Sequence, residues 1–204
     1  MVKDSGNSGN RQECPIRYCI TAPTLNQFSF EQMFTEHDIS VSSIRDEIHN
    51  MFELAEENIK ICSPFLEWNG LRNYIDVLIR KARSGVEISI LIREILAKPD
   101  SNRSQGIKKS LEIFRKNQIL HKIKIRDYYI APGNKLKSSI HAKFLIVDDS
   151  HAYIGSADIR ENALTKNFEL GLIVENADFV YPLVCLFDEM YMAAKNYGVG
   201  LNDF

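Results

Sequence analysis

Apolar positions along this chain switch between two periods. From Val41 they fall at Ile44, Ile48, Phe52, Ala55 and Ile59, three to four residues apart, which predicts an amphipathic helix. Ser43 and Asp46 at its start suit a capping box. Residues 59–62 read as a short strand stopped by Pro64. Leu71, Tyr74, Ile75, Leu78, Ile79 and Ala82 form a second helical stripe that ends at Gly85 in a C-cap position. Residues 86–92 read as a strand and 99–106 as a loop. Ile107, Leu111 and Phe114 suggest a third helix, and 123–128 another strand. Two apolar runs, 144–147 and 152–154, flank the polar cluster Asp148, Asp149, Ser150, His151, a hairpin signal. A polar loop over 160–166, a strand over 168–174 and a helix carrying Val180, Val184, Phe187, Tyr191 and Ala194 complete the pattern.

Helices alternating with strands imply β-α-β units on a sheet, with right-handed crossovers where the strands are parallel. Residues 144–147 are apolar on both faces, which argues for a central strand covered twice. At 204 residues one domain is the expectation, and 45% apolar content suffices for a core. Residues 1–40 read as an N-terminal extension and 41–204 as the main folded domain. The first 15 or so residues are rich in Gly, Ser and Asn and are expected to be mobile. Residues 16–40 contain Tyr18, Ile20, Phe28, Phe30 and Phe34, too apolar for a free tail. They either cover the domain or lie at an interface.

Net charge is −2, so bulk electrostatics select no partner. The distribution says more. Residues 98–143 hold 12 Lys and Arg against 3 Asp and Glu, while the remainder holds 13 against 24. A basic middle suits a polyanionic substrate, although solvated helix faces give the same count. Cys14, Cys19, Cys62 and Cys185 form no CxxC pair, which suggests a reducing compartment and no zinc site. The polar first ten residues and the lack of any run near ~20 apolar residues point to a soluble, cytoplasmic protein without a membrane span.

The candidate chemistry lies around the hairpin. Ser139 to Asp148 reads H-x-K-x4-D, with His141, Lys143 and Asp148 as the fixed positions. Gly155, Ser156 and Asp158 follow, then Asn167 and Glu169. With a two-residue loop, Asp148 pairs with His151, Lys143 with Ser156 and His141 with Asp158. Directly opposed residues share a face, so His141, Lys143, Ser156 and Asp158 project together at the open end. A slip of one residue would scatter them. A phosphodiester needs a nucleophile, charge neutralisation and an acid for the leaving oxygen. An imidazole, with an unperturbed pKa of about 6.5, is mostly neutral at pH 7 and can attack phosphorus. Lys143 supplies a compact positive charge, Ser156 a further donor, and Gly155 close approach. Glu169 can accept the other ring N–H of His141 and fix its tautomer. No metal or other cofactor is required. Asp148 sits at the hairpin corner and reads equally as a turn residue or as part of the phosphate site.

H-x-K-x4-D, then Gly-Ser, then Asn-x-Glu resembles the signature of the phospholipase D superfamily, and its spacing is similar to that of bacterial single-motif endonucleases. Ser63, Pro64 and Phe65, the helix after them and residues 83–88 resemble the family's first β-α-β unit, so the likeness covers roughly residues 55–195. It implies an α/β fold, a mixed β-sheet flanked by helices on both faces, with one domain per chain. It implies that His141 attacks phosphorus, that a second motif His protonates the leaving group, and that water releases the phosphoenzyme. Lys143 and Ser156 would hold phosphate, and Glu169 would orient His141. Asp158 departs from the family's usual Asn; a carboxylate there opposes phosphate and favours a protonated His141.

One motif gives one His, whereas the chemistry asks for two groups. A homodimer with facing motifs answers this most simply. His37, His49, His121 and His151 do not repeat the motif. The basic segment 129–139 leads into His141, and Tyr128 or Tyr129 either stacks on bases or caps the core edge. The expected function is thus a metal-independent endonuclease acting on DNA or RNA at a site shared across a homodimer. More specifically, it would be a phospholipase D-like component of a bacterial anti-phage or restriction system, with a larger complex as partner. A phospholipid phosphodiesterase of the cardiolipin type and a catalytically weak nucleic-acid-binding subunit are the alternatives.

Overall fold

The structure, a computed structural model, describes residues 16–22, 34, 36–37, 40–93 and 102–197. The expectations for residues 1–15, for Phe28 and Phe30 and for 99–101 lie outside the described residues. Strands β1 (Ile16–Thr21), β2 (Ser42–Ser43), β3 (Asn58–Cys62), β4 (Glu87–Ile92), β5 (Ile123–Asp127), β8 (Phe144–Val147), β9 (His151–Gly155) and β10 (Glu169–Glu175) form one sheet. Their order is β2-β1-β10-β9-β8-β3-β4-β5. A small hairpin, β6 (Tyr129–Ile130) with β7 (Ser138–Ser139), stands apart. The helices are α1 (Ile44–Leu54), α2 (Trp68–Leu71), α3 (Ile75–Arg83), α4 (Asn102–Lys116), α5 (Glu161–Thr165) and α6 (Ala177–Tyr197).

The sheet is mixed. β3, β4 and β5 are parallel, as the β-α-β pattern requires, while β8, β9 and β10 run as an antiparallel meander joined to β3. Side chains alternate between two cores. Ile59, Ile61, Ile88, Ile90, Leu145, Val147 and Tyr153 meet Ile48, Phe52 and Leu78 on one face. Cys62, Leu91, Phe144 and Ile146 meet Val180, Val184 and Phe187 of α6 on the other. All four residues of β8 are buried, as expected of a strand at the centre.

Several boundaries move. The first stripe overruns its helix, which ends at Leu54, because Ile59 already belongs to β3. The Ser43 hydroxyl accepts from Asp46 N at 3.4 Å, and Gly85 ends α3 at φ +108°. Residues from Asn102 are helical where a loop was expected, and the polar segment 160–166 contains α5, anchored by buried Ala163 and Leu164. Residues 16–21, assigned to the extension, are a strand of the main sheet: β1 pairs antiparallel with β10 from Ile16↔Val174 to Thr21↔Glu169. The sheet therefore draws strands from both sides of residue 40.

The β8–β9 register differs by one residue from expectation. Val147 pairs with His151 and Phe144 with Ile154, leaving the turn to Asp148, Asp149 and Ser150. The physical reason is Asp148. Its carboxylate accepts from Glu56 N at 2.8 Å, Glu57 N at 2.8 Å and Asn58 N at 2.9 Å, and its own N–H donates to the Asn58 carbonyl at 3.1 Å. That grip takes Asp148 out of the ladder. It sits in the left-handed region at φ 49°, which Asp tolerates.

Candidate active site

The cluster survives the register change because the regular β8–β9 ladder ends at Phe144. Beyond it the Gly155 N–H still reaches the Lys143 carbonyl at 3.2 Å, and the Ser156 N–H then turns to Leu170 O on β10 at 3.0 Å. The two segments converge again at a cavity of about 640 Å³. Its lining includes His141, Lys143, Gly155, Ser156, Asp158 and Arg160, with Phe65 and two leucines of α6, Leu183 and Leu186.

His141 is exposed at the cavity wall, edge-on to the Phe65 ring with centroids 6.4 Å apart. Lys143 Nζ lies 3.3 Å from His141 Nδ1 and donates to the His141 carbonyl at 2.9 Å. A phosphate oxygen arriving there would compete for the same ammonium. The Asp158 side chain is buried, 4.0 Å from Lys143 Nζ and 3.8 Å from Arg160 Nη2. Phe65 N donates to its Oδ1 at 3.3 Å. Burial pushes the Asp158 carboxyl above its ordinary range, against the pull of Lys143, Arg160, the Phe65 amide and His141.

Glu169 is buried at the start of β10. It accepts a short hydrogen bond from Ser156 Oγ, and its Oε1 accepts from Asn167 Nδ2 at 3.0 Å. These are the bonds its carboxylate makes among the described residues, so the expected contact with the His141 ring is replaced within one chain by a Ser156–Glu169–Asn167 set. Ser156 Oγ also accepts from Leu170 N at 3.1 Å. Gly155 makes room for protein: a Cβ there would lie 2.8 Å from Leu170 O and collide with the Tyr153 ring. That ring's hydroxyl accepts from Ala157 N at 3.2 Å and so fixes the Ser156–Asp158 segment.

Asp148 is not brought to the cavity. It ties the hairpin corner to the start of β3 at the far end of β8, and of its two readings the turn residue is the one the structure supports. Tyr128 packs against the α6-side core, with its hydroxyl 3.4 Å from Ser138 Oγ.

Three residues escaped the motif reading as site groups. Arg160 lines the cavity, and its only sequence signal is a charge two positions after Asp158. Phe65 lies under two guanidinium groups, Arg93 at 4.7 Å and Arg160 at 5.4 Å from the ring centroid. Arg93 follows β4 directly, and the carboxyl ends of parallel strands are where α/β sheets gather their ligands. Ser63 secures this corner by accepting from Ile159 N at 3.1 Å.

In fold the chain is similar to a phospholipase D family member, Nuc from Salmonella typhimurium, with a TM-score of 0.59 and 18% identity over 91% of this chain and 96% of that one. The family model described as cardiolipin synthase, PLD-like domain matches residues 48–191, and the chain belongs to this phospholipase D-like family. Cardiolipin synthase A of Buchnera aphidicola is 26% identical over 132 residues, 65% of this chain and 24% of that protein. The DISARM protein DrmC of Bacillus paralicheniformis is 21% identical over 167 residues, 82% of this chain and 60% of that protein. The chain thus spans about a quarter of the first relative and three fifths of the second. Among the described residues, no helix is long and apolar enough to cross a membrane.

Proposed function

We propose that the chain is a phosphodiesterase whose substrate is nucleic acid, an endonuclease cleaving DNA or RNA through a phosphohistidine. One observation carries this reading: an exposed imidazole shares an open cavity with two cations, Lys143 and Arg160, and a serine hydroxyl. That is an anion site with a nucleophile at its wall. His141 attacks phosphorus, a P–N bond forms, and the leaving oxygen departs with a proton from a second histidine. Water then attacks the phosphohistidine, gives up a proton to that second group, and frees His141. Lys143 and Arg160 supply the positive charge that a metal would otherwise provide, so turnover persists in EDTA.

The second histidine is supplied by a second copy of this chain. Leu183 and Leu186 border the cavity, and Leu186 is 48% exposed, an apolar rim suited to a facing protomer. The likeness to a DISARM protein supports a place in a larger anti-phage defence assembly. The test is incubation of labelled single- and double-stranded DNA and RNA in EDTA with wild type and His141→Ala. Cleavage by the former alone supports the reading. A mixed dimer with one His141→Ala subunit should keep little activity, and full activity in an isolated monomer would sink the shared site.

The match to cardiolipin synthases favours a second reading, a phospholipid phosphodiesterase. Lipid turnover in EDTA with no strand cleavage selects it.

A further inference from the structure

Arg160 is held in an unusual way. Its only described ion pair is with Asp158, at 3.8 Å, beyond hydrogen-bonding distance. Its Nε is buried and has no hydrogen-bond partner among the described residues. A guanidinium carries five N–H donors, and leaving a desolvated one unmade is costly. The group lies over the Phe65 ring, 5.4 Å from its centroid. Roughly a third of the side chain remains exposed, at 35%, and the residue lines the cavity that holds His141. Lys143 approaches the same carboxylate oxygen, Asp158 Oδ2, from 4.0 Å and is 12% exposed. Asp158 itself is only 1% exposed. It is therefore an internal anchor shared by two cations, and both cations reach the cavity.

Charge makes the arrangement intelligible. Lys143 and Asp158 alone would cancel, leaving nothing to attract a phosphodiester. With Arg160 the trio carries one net positive charge. From this geometry we propose that Arg160 is a second substrate-binding cation for the scissile phosphate, and that Asp158 is a positioning residue that spaces Arg160 and Lys143 around it. This rests on the phosphodiesterase reading. The planar fork of Arg160 suits two phosphate oxygens, while Lys143 acts as a point charge beside His141.

The experiment pairs direct binding with kinetics on three full-length variants, Arg160→Gln, Arg160→Lys and Asp158→Asn/Arg160→Gln. Binding of inorganic phosphate and of orthovanadate is followed by calorimetry, and hydrolysis of a nitrophenyl phosphodiester gives kcat and KM. Arg160→Gln should weaken anion binding and raise KM roughly tenfold or more, with a smaller change in kcat. Arg160→Lys should keep much of the binding. The double variant restores the single positive charge and should bind the anion better than Arg160→Gln does. Undiminished binding in Arg160→Gln, a double variant no better than Arg160→Gln, or no anion binding by the wild type would each overturn the proposal. A wild type that binds phosphate through Arg160 yet cleaves no diester would sink the phosphodiesterase reading and leave the anion site standing.

Discussion

The Arg93 guanidinium donates to the Ile140 carbonyl at 3.2 Å. The same Nη1 reaches Ser139 Oγ at 3.4 Å. The carboxyl end of β4 thus grips the two residues immediately before His141, in a stretch that has left the β8–β9 ladder. The regular ladder begins only at Phe144, so the backbone leading into His141 is held by Arg93 from one side and by Lys143, through the His141 carbonyl, from the other.

Replacing Arg93 with Met keeps an unbranched side chain of similar length and removes both the donors and the guanidinium over Phe65. In the proposed reaction kcat should fall roughly 10- to 100-fold, because a small misplacement of a nucleophile is costly. KM should change less, since Lys143 and Arg160 remain. Steady-state kinetics beside a melting curve separate misplacement from unfolding: a variant with wild-type kcat would show that His141 is held some other way.

Asp148→Ala should behave differently. It removes an ionised acceptor from three backbone N–H groups and places Ala at φ 49°. A loss of about 2–4 kcal/mol in stability is expected from urea unfolding. Asp148→Asn, which tolerates the same backbone, should lose less. At temperatures where both are folded, kcat should match wild type, because Asp148 does not reach the cavity.

Asp158 sets a pH dependence of stability. Below the ordinary carboxylate pKa of 3.8, folded and unfolded chains both carry its proton and there is no penalty. As pH rises, the unfolded chain releases the proton first. The folded state then binds more protons, so it loses stability until its own raised pKa is passed. Asp158→Asn cannot titrate. Its melting temperature relative to wild type should climb from acid toward neutral pH and then level off; a flat or falling difference in calorimetry would contradict this sign.

Cysteine reactivity should divide by position. Burial pushes the Cys19 and Cys62 thiols up to about 12, whereas Cys185 is exposed on α6. Alkylation at pH 8 followed by peptide mass mapping should mark Cys185 quickly. It should leave Cys19 and Cys62 protected until denaturant is added.

Elements with a strong local signal were readable in advance. The helical stripes, the buried run at Phe144–Val147 and the Ser43 cap all depend on near neighbours, and each appears where the pattern put it, within a few residues. The motif residues His141, Lys143, Ser156 and Asp158 do gather at one cavity. What the sequence could not convey depends on distant partners. The hairpin register turned on Asp148 binding amides some 90 residues earlier, a contact with no trace in the local pattern. Arg160 and Arg93 became site residues through Phe65, which brings together three loops far apart in the chain. β1 looked like an apolar stretch of unknown use because its partner, β10, lies at the other end of the sequence.

That last pairing has a consequence for how the molecule assembles. Residues 16–21 leave the ribosome well before the strand they dock on. Until β10 is made they have only the two residues of β2 to pair with, so their zippering onto β10 is a contact of very high sequence separation and should be slow. A chain shortened to begin at residue 41 would leave the seven residues of β10 as a bare edge, open to a strand from any neighbour. Aggregation of such a fragment, and its relief by a synthetic peptide spanning residues 14–23, would be the sign of it.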